Sequence, residues 1–143
     1  MKFKNIEEYK KNLKKRLTEE AMSSAKGLVT RSTNLVQNTA KTSITAGGTG
    51  QIVQKYDPRR THTQSAPLSP PASDTGFLVS QITMNVKTEQ NGTVIGQIIS
   101  AAPYSKALEF GTVNMQPRPF MQPALNRNKN KIVKMFMQEG LIE

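Results

Sequence analysis

Cysteine is missing from this chain and histidine occurs once, at His62. Without thiols there is no disulfide framework and no thiolate zinc site, and a single imidazole leaves little for a nitrogen-ligated metal. No apolar run approaches the ~20 residues that a membrane span needs. The opening segment, MKFKNIEEYKKNLKKR, is basic but no apolar stretch follows it, so it does not read as a secretory signal. The expectation is a soluble protein made in the cytoplasm, with no membrane partner. Acidic residues are scarce as well, 10 against 20 Lys and Arg, for a net charge of +10.

What is there fits one domain. A fold of 143 residues buries roughly 68–70% of its unfolded-chain surface, enough for a core without staples. The charge is uneven: residues 1–60 carry +8, residues 61–125 are neutral and residues 126–143 carry +2. Such asymmetry points to contact with a polyanion or an acidic protein surface, with a solvated helix face as the plain alternative.

Along the chain, Ile6, Tyr9, Leu13, Leu17, Ala21, Ala25, Leu28, Ser32 (a small exception among apolar residues) and Val36 recur in steps of three and four. They predict one long helix from Asn5 to about Ala40. Gly27 is its only breaker and allows one bend, at about 1 kcal/mol relative to Ala. A helix of that length either leans on a neighbouring subunit or is split. Residues 42–46 and 51–56 flank Gly47-Gly48-Thr49-Gly50 and predict a β-hairpin, followed by a long extended loop at about 57–76 rich in Pro, Ser and Thr. From Phe77 to Lys87 polar and apolar residues alternate, and Asn91-Gly92 supplies a hairpin turn. With that dipeptide at the turn centre, Met84 would pair with Ile99 and Ile82 with Ala101, placing Ile95, Ile99 and Ala101 on the core face. Pro103 opens a short helix whose buried side is Ala107, Leu108 and Phe110, stopped by Gly111. A last helix starts near Met121, with Leu125, Asn128 or Lys129, Ile132, Met135 and Phe136 at helical spacing. The fold class is α+β: a long N-terminal helix, a small antiparallel sheet with hairpins, a short helix and a C-terminal helix. It divides as a basic helical arm (1–41), a hairpin and extended loop (42–76) and a sheet with the final helix (77–143).

Few residues suit chemistry. The glycines at 47–50 lack the Gly-Lys-Ser/Thr and following helix of a phosphate loop, so a turn is the better reading. His62, Ser65 or Ser73, and Asp74 are the ingredients of a hydrolytic triad, yet no nucleophile elbow frames them. Pro67 to Pro71 matches PxxP, a spacing common by chance and better explained by a stiff connector. Lys10, Lys11, Lys14, Lys15 and Arg16 form one basic cluster without a groove-entering motif. A non-specific phosphate-facing surface fits it; sequence-specific recognition does not. Glu109 has no partner carboxylate, so a structural hydrogen bond or an intersubunit ion pair suits it better than proton transfer.

Two blocks carry more. The first runs from Thr61 through Pro67 and Pro70 to Asp74-Thr75-Gly76-Phe77-Leu78; the second joins Ala102-Pro103-Tyr104 to Glu109-Phe110-Gly111-Thr112 and Pro119-Phe120-Met121-Gln122-Pro123-Ala124. In order and spacing they resemble the tail-component, or head–tail joining, family of long-tailed double-stranded DNA bacteriophages. The departures are Ser105, where that family often has Ala, and Ser69, where many members carry Gly and an acidic residue.

The resemblance implies a virion structural protein of the neck or tail top, completing or joining the tail to the head connector as a ring around the DNA channel. It implies a hexamer or dodecamer, contacts with connector or stopper proteins and with tail tube or terminator proteins, and non-specific DNA in the channel. It implies no enzyme activity and no cofactor. The motif and interface residues would be Asp74, Thr75, Gly76, Tyr104, Glu109, Phe110, Gly111, Thr112, Pro119, Phe120 and Pro123, with the five basic residues facing DNA or an acidic partner. The competing expectation is a small basic protein that binds nucleic acid non-specifically on its own.

Overall fold

In the computed structural model, which describes residues 6–140, the first helix, α1, is unbroken over Ile6–Thr45. At about 1.5 Å per residue it is some 60 Å long. Gly27 does not interrupt it, and a Cβ there would meet nothing within 4 Å. The segment 42–46, expected as a strand, is the end of this helix. A β-branched residue costs a helix at most ~0.7 kcal/mol, whereas burying an Ile stabilises by about 1.5–3 kcal/mol. Ile44 is completely buried, so packing decides. Ser43 and Thr45 turn their hydroxyls onto the carbonyls of Ala40 (2.7 Å) and Lys41 (3.2 Å), and Gly47 ends the helix at φ +99°.

The first hairpin therefore lies one strand later than its sequence suggests. It pairs β1 (Ile52–Tyr56) with β2 (Arg59–Thr63) across Asp57-Pro58, with Tyr56 opposite Arg59. The glycines before it serve a close backbone approach: Gly50 N–H donates to Gln64 (2.7 Å), and a Cβ on Gly48 would collide with the carbonyl of Thr63. After β2, residues 64–76 form a strap pinned to the body. Ser73 N–H donates to Ile44 O at 3.0 Å and Leu68 N–H to Pro117 O at 2.9 Å.

Gly76, at φ +78°, turns the strap into a single helical turn, α2 (Phe77–Ser80). The expected alternation thus starts only at β3 (Ile82–Thr88), which pairs antiparallel with β4 (Val94–Ser100). The register differs by one residue from the expectation: Met84 faces Ile98, and Ile82 faces Ser100. In the connecting turn only Gly92 takes a positive φ (+85°). Its N–H donates to Glu89 O (3.0 Å), while Glu89 N–H donates to Thr93 O (2.8 Å). Asn91 instead accepts from Thr93 N–H through its side chain (2.8 Å). A slip of one residue exchanges the faces of a strand. Ile98 packs against the core, while Ile99 and Ala101, expected inside, are exposed. Gly96 lies over α1, where any Cβ would strike Thr33 and come within 2.9 Å of Val29.

Two more helices complete the chain, α3 (Ser105–Phe110) and α4 (Met121–Gln138). The fourth helix runs antiparallel to α1, fixed by Asn128 Nδ2 donating to Thr39 Oγ1 (2.8 Å) and by Arg31 against Glu139 (3.2 Å). Val36, Ala40 and Ile44 of α1 form the core with Leu78, Ile82, Ala102, Phe120 and Ala124. Phe110 and Leu125, both expected on buried faces, are exposed. The α+β reading with a long first helix and a C-terminal helix holds.

Candidate functional site

The second sequence block builds a clamp around one carboxylate. The N-terminus of α4 presents orphan N–H donors, and Phe120 at its cap position makes no side-chain cap hydrogen bond. Glu109 of α3 supplies what is missing. Its Oε2 accepts from Phe120 N–H (2.9 Å) and Met121 N–H (3.1 Å), and its Oε1 from Gln122 N–H (2.9 Å). The fourth donor does not exist, because the next residue is Pro123. A carboxylate at this end also meets the positive pole of the helix dipole.

The rest of the block places Glu109 there. Gly111 leaves α3 at φ +77° and ψ 179°, a conformation that disfavours any side chain, and a Cβ would lie 2.8 Å from Met115 O. Thr112 and Met115 then exchange backbone hydrogen bonds of 2.8 and 3.2 Å, closing the loop so that Arg118 N–H donates to Leu108 O (2.6 Å). Pro119 leads into Phe120, which at 1% exposure anchors α4 in the core. The sequence signal was a Glu one residue before Phe-Gly and eleven before the helix cap; nothing local shows that it reaches forward to that helix.

The first block does the same with Asp74. Lys55 and Arg60 are opposite partners in the hairpin ladder, hence on one face of it. Asp74 takes Lys55 Nζ on one oxygen and Arg60 on the other at 2.7 Å, with His62 Nδ1 at 3.8 Å. The hydrogen bond from Lys55 holds this carboxyl below its ordinary pKa against a smaller opposing effect of burial, and Arg60 adds to the lowering. Thr75 accepts from Phe77 N–H at 3.4 Å. The two blocks meet where the rings of Phe77 and Tyr104 sit 6.3 Å apart, and where Arg118 Nε donates to Ser65 O (3.2 Å).

The triad ingredients are thus brought near one another but not connected as a relay. His62, Ser65, Ser73 and Asp74 line one cavity of about 320 Å³. Asp74 is committed to two cations, and no hydrogen bond among the described residues joins His62 to either serine. No group of three or more metal-ligating side chains occurs among the described residues.

Lys10, Lys11, Lys14, Lys15 and Arg16 lie far from both blocks, on the exposed first half of α1. Lys10–Glu7 (3.4 Å) and Lys15–Glu19 (3.9 Å) are solvent-exposed ion pairs, worth ~0–1 kcal/mol each. The same stretch displays Ile6, Tyr9, Leu13 and Leu17 to solvent. A larger apolar feature lies on the body. The β3–β4 sheet and α4 both pack on α1, and between them lies an open groove of about 720 Å³ with Val94 and Ile98 on one side and Leu125 and Phe136 on the other. Sequence periodicity gave no sign of it.

Among family models, curated proteins and solved structures, none matches this chain.

Proposed function

We propose that this chain is a structural subunit of a bacteriophage virion, placed at the neck or tail top, where copies form a ring around the DNA channel. The observation that carries the reading is the Glu109 clamp. The residues by which the chain resembles head–tail joining proteins are spent on fixing a backbone path, with Glu109, Gly111 and Phe120 each in a shape-determining role. The exposed apolar arm and the open apolar groove support self-assembly, since such surfaces mark interaction sites. A closed ring of identical copies needs two different patches per subunit, and these are two. Labelling purified virions with an antibody against this chain tests the proposal. Label at the junction of head and tail is the expected result; virions that lack the chain overturn it.

A second reading, a free-standing non-specific nucleic-acid binder, draws on Arg127, Lys131 and Lys134, which repeat at helical spacing on α4 and are all exposed. Tight duplex binding by the monomer that falls steeply with salt, as counterion release requires, would favour it. Negligible monomer binding favours the ring subunit.

A further inference from the structure

We infer that neighbouring copies of this chain join by laying the N-terminal arm of one, Ile6 to Ala21, into the groove between the sheet and α4 of the next. The inference rests on the reading of the chain as a self-assembling subunit and adds which surfaces meet. Three observations carry it. First, the arm is helix with an apolar stripe that none of the described residues covers: Ile6 is 72% exposed, Leu17 58% and Leu13 43%, and Lys10 and Lys14 flank them. The stripe stays in phase with Leu28 and Ser32, the first buried positions of α1, so it continues the core-facing side past the end of the body.

Second, the groove lacks a helix. Its floor is α1 at Val29, Thr33 and Val36, its walls are β4 and α4, and α3 borders the Met121 end with Lys106, Glu109 and Phe110. Gly96 strips one wall of its side chain where it rests on Thr33. Along α4 the groove runs from Met121 to Phe136, about 22 Å at 1.5 Å per residue, against about 24 Å for the sixteen-residue arm. The lengths agree.

Third, the chain cannot satisfy itself. Arm and groove floor are parts of the same unbroken helix, so an arm never reaches the groove of its own copy. Donor and acceptor patches differ, so each copy gives one arm and receives one, around a head-to-tail ring or in a reciprocal pair. The area sets how the contact behaves. An arm 24 Å long and about 10 Å across that buries half its girth covers about 400 Å². Counting both sides gives about 800 Å², below the ~1,200 Å² at which specific stable interfaces begin. A single contact does not hold a pair at low concentration; mutual contacts around a closed assembly do.

The absence of cysteine from the chain makes the test direct. Leu13→Cys and Leu125→Cys proteins, both altered at exposed positions, are mixed at ~0.1 mM under mild oxidation. The control pair is Leu13→Cys with Ile52→Cys, exposed on β1. The expected result is a mixed 13–125 disulfide formed about tenfold faster than the control, as a millimolar effective concentration predicts. Dominance of the 13–13 product shows arm on arm and overturns the inference. So does a 13–125 rate no higher than the control, whether the groove is then empty or holds a small apolar molecule by native mass spectrometry. The outcome is independent of virion location: a 13–125 link without neck labelling rejects the phage reading alone, and neck labelling without the link rejects only the arm-in-groove contact.

Discussion

The two halves of α1 share one amphipathic pattern and have opposite fates. From Leu28 onward the helix buries Leu28, Ser32, Thr33, Val36, Ala40 and Ile44; from Ile6 to Gly27 no residue is buried. Leu13 and Leu17 are as apolar and as regularly placed as Leu28 and Val36. What differs is the neighbour: the second half lies under the β3–β4 sheet and against α4, and the first half reaches only the β3–β4 turn, where Met22 comes close to Gly92. Helical periodicity therefore specifies which face wants cover, not which chain provides it.

The largest effect should come from removing the anchor that sets α4 against the buried half. Phe120→Ala is expected to cost about 3–5 kcal/mol in chemical denaturation, the range for a fully buried phenylalanine. A loss under about 1 kcal/mol would mean that α4 is held otherwise and that the contrast between the halves is weaker than drawn. Leu28→Ala probes the boundary itself. Leu28 is 1% exposed, so a cost of about 2–5 kcal/mol is expected, and a surface-like value would move the start of the body toward Val36. Glu109→Ala comes next at about 1.5–3 kcal/mol, in line with loss of hydrogen bonds to a charged group. Its sharper readout is hydrogen exchange at Phe120, Met121 and Gln122. Unchanged protection of those amides would show that the carboxylate does not cap α4.

Much of this architecture was legible from the chain because local rules governed it. The core-facing stripe of α1, the Gly111 stop and the start of α4 at Met121 each follow from residue types within one or two turns. The failures have two causes: a distant contact overruling a local preference, or an apolar face left without cover. Thr42 to Thr45 reads as a strand until Ile44 finds the core. Asn91-Gly92 reads as a two-residue turn, but Asn91 hydrogen-bonds with its side chain while Gly96 and Ile98 settle the register against α1. Phe110 and Leu125 fit helical stripes yet border the open groove. Of the candidate site, the motif residues were visible as a pattern; Glu109 reaching across to another helix and Asp74 gathering two strand cations were not, because both bonds span loops whose path no short window encodes.

Asp74 offers a gentler perturbation. Its carboxyl is held below its ordinary value of 3.8 by Lys55 and then Arg60. For a depressed carboxylate the stabilisation is complete above the unfolded-state pKa, and it fades as pH falls through the lower folded value. The β1–β2 hairpin should thus stay docked on the strap from neutral pH to about pH 4 and loosen below it. Protection of β1 and β2 amides across an acid titration reports this. Asp74→Asn should give the loosened state already at neutral pH, and an unchanged hairpin in that variant would discard the latch.

The smallest effect on stability belongs to Leu17→Ala, and it tests the contrast most directly. An exposed leucine on an arm without intramolecular cover contributes nothing to the body, and alanine is the better helix former. The denaturation midpoint should therefore move by no more than the equivalent of about 0.5 kcal/mol, where Leu28→Ala in the same helix costs several times that. If the arm serves a neighbouring copy, the same substitution must slow formation of the 13–125 cross-link while the body stays folded. A leucine that stabilised the monomer as much as Leu28 does would place the arm within the body in solution and erase the distinction between the two halves of α1.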